Sequence, residues 1–485
     1  MLDLITSKWG AFLRLNACHR LLTCWFLMGG YLLETQGAAP NIILMMADDL
    51  GWCDVGFNGN RVVHTPHLDA LSGDGLIFDR FYAASPVCSP TRGSCLTGRH
   101  PARYKISTAN AGHILTEETT IAELLASKGY FTGHFGKWHL GTLTQQGKDS
   151  NRGGDRNLQH YAPPTAHGFH TYFSTEAKTP TWDSQWAPRK RSQTWWNPVH
   201  LLDRVPYGTS YWTPDGRVSE PLPGDDSAMI MQRALEFMEK ASEADRPFLA
   251  VIWFHTPHLP VVAGKEWTEA YHTLGAYHQH YYGSISALDH QVGRLRSFLQ
   301  SRELKQNTML WFCSDNGPEG QSFKAPGSAW PLQGRKRSLH EGGIRVPAFM
   351  VWPGKVHSGQ RTSLPVMTSD YLPTLLDILE VSLPARPMDG MSLRPLLEEG
   401  TGHPVDAIEQ REIGFQFGRQ TAWMRGSLKY YSPDGGKTDY LYDLNHDEQE
   451  SINLAETQTA QLQKMKDALR AWQFSCSQSA EGLDY

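Results

Sequence analysis

An α/β fold is what this sequence predicts, with a large, mostly parallel central sheet sandwiched by helices and a small C-terminal α+β domain built on an antiparallel sheet. Three observations lead there. Residues 41–47, 248–254 and 308–313 are unbroken apolar runs. Segments of helical spacing lie between them. After about residue 400 the texture changes to short aromatic runs separated by turn residues.

Strands that are apolar throughout, without alternation, belong to a parallel sheet covered on both faces. Between them, Ile121, Leu124 and Leu125 share one helical face. Ile285, Leu288, Val292, Leu295, Phe298 and Leu299 form a longer stripe. Strands alternating with helices give the α/β class. Each apolar run then stops at polar residues: Asp48-Asp49, His255-Thr256-Pro257-His258, and Ser314-Asp315-Asn316-Gly317. Ligands of such sheets bind beyond the carboxyl ends of the strands. Core packing has no reason to gather reactive side chains at that one end, so these residues mark a candidate site.

Residues 142–224 are rich in Trp, Pro, Gly and charge and show little periodicity. They read as a long excursion from the sheet, of the kind that often carries function. Trp182, Trp186, Trp195 and Trp196 within it are candidates to stack on a sugar ring. Residues 422–431 and 440–444, with Asp434-Gly435-Gly436 between, read as antiparallel strands and a turn, and residues 457–474 as a closing helix. The expected organisation is a catalytic domain over 40–400 and a small α+β domain over 401–485.

The bulk numbers agree. A chain of 485 residues, 40% hydrophobic and 20% charged, supports one large core plus an appended domain and excludes a disordered or fibrous protein. A net charge of −5 without any run of Lys and Arg excludes nucleic acid as a partner. At the start, Lys8, Arg14 and Arg20 precede an apolar run from 21 to 33, and Gly37, Ala38 and Ala39 follow. That is the layout of a signal peptide over residues 1–39, removed on export to the periplasm or the medium. The run is shorter than the ~20 residues of a spanning helix, so no stable span is expected in the mature chain; a retained anchor is the alternative. Of the seven Cys, Cys18 and Cys24 leave with the leader. Cys53, Cys88, Cys95, Cys313 and Cys476 remain, too scattered for a disulfide framework and without zinc-ligand spacing.

Asp48, Asp49, Asp315 and Asn316 offer oxygen ligands only. A hard cation such as Ca2+ takes about 6–8 oxygens, and flexible carboxylate sites suit it. Either pair alone would serve as well as a helix cap or a turn.

The segment Cys88-Ser89-Pro90-Thr91-Arg92, followed by Leu96-Thr97-Gly98-Arg99, narrows the reading. Cys-x-Pro-x-Arg with Leu-Thr-Gly-Arg resembles the signature of the sulfatase family, a branch of the alkaline phosphatase superfamily. Other blocks extend the resemblance over nearly the whole mature chain. Residues 40–52 resemble the opening strand and metal carboxylates, 65–69 and 136–141 the next two blocks, and Thr256-Pro257-His258 the sulfate-binding histidine. Gly334-Arg335-Lys336 with 341–347 resembles the second lysine block. Tyr442-Asp443-Leu444 with Asn453-Leu454-Ala455 resembles the C-terminal hallmark, although Asn445-His446-Asp447 departs from the usual Asp-Pro. The texture is similar to arylsulfatases and N-acetylgalactosamine-sulfatase-like, exo-acting glycan sulfatases.

The resemblance implies a sulfuric ester hydrolase acting on a sulfated carbohydrate or aryl sulfate ester. Cys88 is expected to be converted to formylglycine by a maturation enzyme. Its hydrate would attack sulfur, and a covalent sulfo-enzyme would break down by expelling sulfate. Ca2+ would be held by Asp48, Asp49, Asp315, Asn316 and residue 88. Arg92 would reach back to residue 88, and Lys137 and Lys336 would neutralise sulfate oxygens. His139 would hydrogen-bond the gem-diol. His258, preferred over His255 because it stands directly before Leu259-Pro260, would hold the sulfate and, with Lys336, protonate the departing oxygen. His340 reads as structural or substrate-facing. The alternatives are a phosphonate or phosphate monoester hydrolase of the same superfamily and a non-catalytic pseudo-sulfatase that binds sulfated glycans.

Overall fold

The three apolar runs become the middle of one ten-stranded sheet in the computed structural model, which describes residues 39–149, 152–153, 158–321, 324–397 and 405–484. The leader, with Cys18, Cys24 and the apolar run 21–33, lies outside the described residues. In chain order the strands are β1 (Asn41–Ala47), β2 (Leu76–Phe78), β3 (Phe131–Lys137), β4 (Thr171–Thr175), β5 (Tyr211–Thr213), β6 (Gly216–Arg217), β7 (Phe248–Trp253), β8 (Thr308–Ser314), β9 (Phe349–Val351) and β10 (Gln360–Thr362). Their spatial order is β6-β5-β4-β3-β7-β1-β8-β9-β2-β10. The five strands β4, β3, β7, β1 and β8 run parallel to one another. Antiparallel β5 and β9 flank them.

Why the central strands show no alternation is plain from what each side chain meets. Ile42, Leu44 and Met46 point into one core with Val251, Trp311, Ile121 and Leu375. Ile43, Met45 and Ala47 point into a second, with Ile252, Phe312, Ile230 and Val292. Both faces are dry, so both sets must be apolar. The first face is covered by α1 (Cys88–Thr97) and α2 (Ile121–Ser127). The second is covered by α3 (Asp226–Glu243) and α4 (Ala276–Ser301), and α5 (Tyr371–Ile378) returns to the first.

Two expectations about local structure are corrected. The stretch 142–224 is not wholly outside the sheet, because β4 is one of its five parallel members. Its sequence, Thr-Tyr-Phe-Ser-Thr, sends only Tyr172 and Phe173 into the two cores, too sparse an apolar signal to read as a buried strand. The expected strand over 422–431 is a hairpin, turned at Gly426 with φ 58°, a left-handed conformation that glycine adopts without a Cβ penalty.

The C-terminal sheet runs in the order β11 (Glu412–Phe417), β12 (Gln420–Arg425), β13 (Leu428–Ser432), β14 (Tyr440–Asp443), all antiparallel. One face packs Ile413, Phe415 and Met424 on Tyr82, Leu339 and Ile344. The other is closed by α6 (Thr459–Ala480) through Met465 and Leu469. Fully buried Lys429 bridges Glu341 and Glu450 at 2.9 Å each. Among the described residues, no helix is long and apolar enough to cross a membrane.

Candidate active site

Parallel strands bring their carboxyl ends to one edge of the sheet, and the polar residues that end them meet there. β1 delivers Asp48 and Asp49, β3 ends on Lys137, β7 leads to His258, and β8 to Asp315 and Asn316. Gly136 sets up the last step of β3. Its φ is 99°, and a Cβ there would sit 1.9 Å from the Trp253 carbonyl oxygen, so only glycine fits.

Facing these ends is the start of α1. Val87 precedes it in an extended conformation with no side-chain cap, so the first backbone N–H groups and the positive end of the helix dipole are directed at the site. Pro90 is tolerated because it lies within the first turn, and Gly98 ends the helix with φ 70°. Cys88 is the first helical residue and is buried.

The Cys88 Sγ, which stands where an aldehyde-derived oxygen would be, lies 3.3 Å from Asp48 Oδ1. Lys137 Nζ donates to Asp48 Oδ2 at 2.6 Å. Arg92, one turn along α1, places its guanidinium 2.7 Å from Asp315 and 3.5 Å from Asp48, donates to the Lys137 carbonyl at 3.0 Å, and lies over the Trp253 ring. It is wholly buried and stands behind the carboxylates, so it positions them instead of facing substrate. Lys336 Nζ sits 2.7 Å from Asp49 and 3.4 Å from Glu319. Asn316 Nδ2 donates to Asp49 Oδ1 at 2.7 Å, and the Asp49 amide donates to Asp315 at 3.1 Å.

His258 Nδ1 donates to the Leu259 carbonyl at 2.6 Å. A carbonyl only accepts, so Nε2, 3.6 Å from Asp49, is the lone-pair nitrogen of the neutral ring. Burial holds His258 well below the usual histidine range. His139 has φ 56°, and its carbonyl accepts from Ser89 Oγ at 2.6 Å.

All ten residues named from the sequence are therefore brought together. His255 is not. Its nitrogens face Asp226 at 2.7 Å and Thr175 at 2.8 Å in a buried network. His340 is structural, 3.1 Å from Glu450 and against the Tyr431 ring. Of the four tryptophans, Trp196 is buried in a small core with Ala187 and Val262, and the partly exposed Trp182 packs against it, Trp195 lies on His280, and Trp186 lies under Arg204. The excursion instead contributes Lys178, Gln193 and Thr194 to the site.

Above the cluster is an open cleft of about 640 Å³ lined by Cys88, Lys137, His139, Lys178, His258 and Lys336, with Asn110, Glu319, Arg337 and Phe417 among its other walls. Lys178, Glu319, Arg337 and Phe417 were not legible. Lys178 follows β4, which carries no readable strand signal, and Phe417 comes from the C-terminal sheet.

The carboxylates of Asp48 and Asp49 suit a hard cation, and their ligand atoms lie within 4.8 Å of one another and of those of Cys88 and His258; Asp315, expected as a ligand, is not in that group and is engaged by Arg92 and the Asp49 amide. Asn316 Oδ1 is buried and accepts no hydrogen bond among the described residues, the state expected of an oxygen reserved for a metal. Burial raises Asp49, partly countered by Lys336, and burial with the nearby Asp48 pushes Asp315 up to about 7. Burial would raise Asp48 too, but Lys137, His258, Arg92 and Lys336 outweigh it and hold this carboxyl well below its usual range. Packing three carboxyl groups together is costly unless positive charge offsets them. The thiol of Cys88 is pushed well above its ordinary range by burial, Asp315 and Asp48.

Comparison with known proteins points the same way. A family model described as Sulfatase matches residues 40–381. Dog arylsulfatase G is 30% identical over 83% of this chain and 76% of its own length. Human arylsulfatase A is 33% identical over 75% of this chain and 68% of its own. Among solved structures, Ps i-CgsB in complex with k-i-k-neocarrahexaose superposes with a TM-score of 0.76 at 26% identity, covering 91% of this chain and 94% of that one.

Proposed function

This chain belongs to the sulfatase family and is a sulfatase enzyme, and from that premise we propose that it removes sulfate from a sulfated carbohydrate or aryl sulfate ester, with residue 88 acting as formylglycine and Ca2+ at the carboxylate cluster. The observation that carries the reading is the approach of Cys88 to Asp48 at the floor of a cleft ringed by Lys137, Lys336 and His258. As its hydrated aldehyde, residue 88 supplies one hydroxyl to attack sulfur and a second whose electrons expel sulfate. Asp48, Asp49, Asp315, Asn316 and residue 88 would hold Ca2+, which would serve to polarise a sulfate oxygen.

The chain's own side chains supply the rest. Lys137 and Lys336 set positive charge beside the transferring group before reaction, where it is worth most. Arg92 orients Asp48 and Asp315. His139 lies within the cleft beside residue 88 and serves the gem-diol. His258 presents the Nε2 lone pair to the site, so the leaving-group proton falls to Lys336 Nζ, or to His258 once it has taken a proton.

The decisive measurement is the mass of the peptide containing residue 88. Conversion of thiol to aldehyde removes ~18 Da, the change expected of a formylglycine nucleophile; an unmodified thiol in fully active protein sinks the mechanism. Cys88→Ser should bind product yet lose about a thousandfold or more in kcat, because a serine ester has no second hydroxyl with which to release sulfate. Stripping the metal with a chelator should lower activity in step with metal content, with recovery on adding Ca2+. The phosphonate-hydrolase reading is separated by comparing an aryl sulfate with an aryl phosphonate ester, and the first should be preferred.

A further inference from the structure

One buried ion pair lies beside the start of α1 without lining the cleft. Its cation, Arg152, comes from the excursion, where Lys148–Asp149 pairs with Arg152–Gly153 in a short antiparallel ladder. Asp149, opposite Arg152, anchors that ladder by accepting from the Trp212 indole and, at 3.1 Å, from the Ser210 amide. The Arg152 guanidinium is wholly buried and meets Glu176, the residue after β4, at 2.8 Å. Its Nε donates to the Gly112 carbonyl at 2.9 Å. A buried pair of this kind contributes little net stability. What it fixes is direction: the guanidinium is a planar, rigid fork, so engaging Nε and Nη1 decides where Nη2 points. Nη2 lies 3.4 Å from the Ala109 carbonyl oxygen and 3.5 Å from Ser89 Oγ, both long contacts.

Ser89 is the immediate neighbour of residue 88 in α1. Its hydroxyl has a single proton and two carbonyls within reach, that of His139 at 2.6 Å and that of Ala109 at 2.8 Å. One proton cannot serve both at full strength. A second donor at Ala109 leaves the Ser89 proton to His139, and Arg152 is placed to be that donor. His139 needs such a hold. Its φ of 56° is a left-handed conformation uncommon for a residue with a side chain, and its carbonyl is the handle by which α1 grips it.

We infer that Arg152 is a positioning residue for His139 and acts through Ser89: it engages Ala109, commits the Ser89 proton to the His139 carbonyl, and so holds the His139 ring in place at the cleft. This rests on the gem-diol reading and gives the excursion a part in it. The step affected is the breakdown of the sulfo-enzyme. There the remaining hydroxyl of residue 88 gives its proton to His139, its electrons re-form the carbonyl, and the carbon–oxygen bond to sulfate breaks with its electron pair leaving on sulfate.

The test compares three variants with wild type at equal formylglycine content, measured by peptide mass. Arg152→Lys keeps a charge opposite Glu176, but one ammonium cannot also reach Gly112 and Ala109. Glu176→Gln loosens Arg152 without touching any group near Ser89, and stands in for Arg152→Lys if that protein does not fold. Ser89→Ala removes the hydroxyl and leaves the ion pair intact. With 4-nitrophenyl sulfate, Arg152→Lys and Ser89→Ala should each lower kcat about tenfold or more, and Glu176→Gln less. KM should fall alongside kcat, because slow breakdown lets the sulfo-enzyme accumulate; nitrophenol then appears in a burst, and quenched protein carries residue 88 as its sulfate ester. Adding Arg152→Lys to Ser89→Ala should cost less than about twofold more, since both act through one hydroxyl. In crystals of Arg152→Lys without substrate, Ser89 Oγ should turn to Ala109 and leave the His139 carbonyl. A raised KM at unchanged kcat, losses that multiply in the double variant, or a Ser89–His139 contact that keeps its wild-type length overturns the inference. Wild-type protein that hydrolyses the aryl sulfate with an unmodified thiol at residue 88 overturns the preceding mechanism instead, and the crystal structure of Arg152→Lys then decides by itself whether Arg152 directs Ser89.

Discussion

Arg92 is the side chain on which the carboxylate cluster most depends. It carries a fully buried positive charge, and the groups it answers, Asp48 and Asp315, are equally buried. Removing one member of such a set strands the others, at a cost of about 3–5 kcal/mol, far more than the net worth of the set itself. Arg92→Met should therefore lower the unfolding free energy by about that amount, read as a shift in urea midpoint at constant slope. Arg92→Lys should recover part of it, because one ammonium cannot span Asp315, Asp48 and the Lys137 carbonyl together. A loss below about 1 kcal/mol for Arg92→Met would show the carboxyl groups to be neutral when unpaired. At this scale the sequence was informative where reactive residues gather just past an apolar run, as Asp48, His258 and Asp315 do, although the first residue past the run 248–254 is His255, which is turned onto Asp226 instead. It was silent on Lys178, whose placement depends on a strand too weakly apolar to read. It also said nothing of how Arg92 would be used: the spacing put it one turn from residue 88, but only packing against Trp253 and Lys137 turns it onto Asp315.

Elements are placed by how many faces they bury. β1, β7 and β8 feed two cores and are unmistakable from composition; β4 feeds the same cores with two side chains and is not. The short helical turn at Glu341–Ile344 is a third case. Four residues separate it from Lys336, and it is tied to the C-terminal sheet by charge: Lys429, on β13, is fully buried between Glu341 and Glu450, and Tyr82 donates to Glu341 at 2.9 Å. Burial would lower the Lys429 pKa, but the two carboxylates outweigh it, so the ammonium stays charged. Lys429→Met leaves Glu341 and Glu450 facing each other in a dry interface. The expected outcome is a loss of about 3–5 kcal/mol in stability, and a fall in kcat as the lysine block loses its anchor. Unchanged kcat at full folding would show that the Lys336 loop is held by its own contacts, chiefly Glu319. Nothing in the sequence pairs Lys429 with Glu341, 88 positions away, so this joint between the two sheets was not legible.

Across the whole molecule, the large sheet and the C-terminal helix meet at His100, just past α1. Its ring packs edge-on against Trp472 of α6 at 4.7 Å, and its backbone amide donates to Asp389 at 2.6 Å. Asp389 also receives Arg103 and the Trp472 indole. Burial pushes the His100 pKa down to about 4, against the opposing pull of Asp389. In the unfolded chain the same imidazole titrates near its ordinary value of about 6.5. Between those limits the unfolded chain binds a proton that the folded one refuses, so unfolding becomes easier as acid is added. The contribution of this group is complete above pH ~6.5 and is lost as pH falls toward ~4, amounting to about 3 kcal/mol at the acid end. Other buried groups also titrate in that window, and raised carboxyls such as Asp225, pushed up to about 8 by burial and Asp226, act in the opposite sense. The slope for the intact protein is therefore a sum, and a single substitution is needed to isolate one group. His100→Phe keeps an aromatic ring against Trp472 and removes the titration. Its unfolding free energy relative to the parent, from urea melts at pH 7 and pH 4, should move in favour of the variant by about 3 kcal/mol. A difference that stays constant within about 1 kcal/mol would mean that His100 takes up its proton in the folded protein, and that the joint between α1 and α6 opens or rearranges to let it.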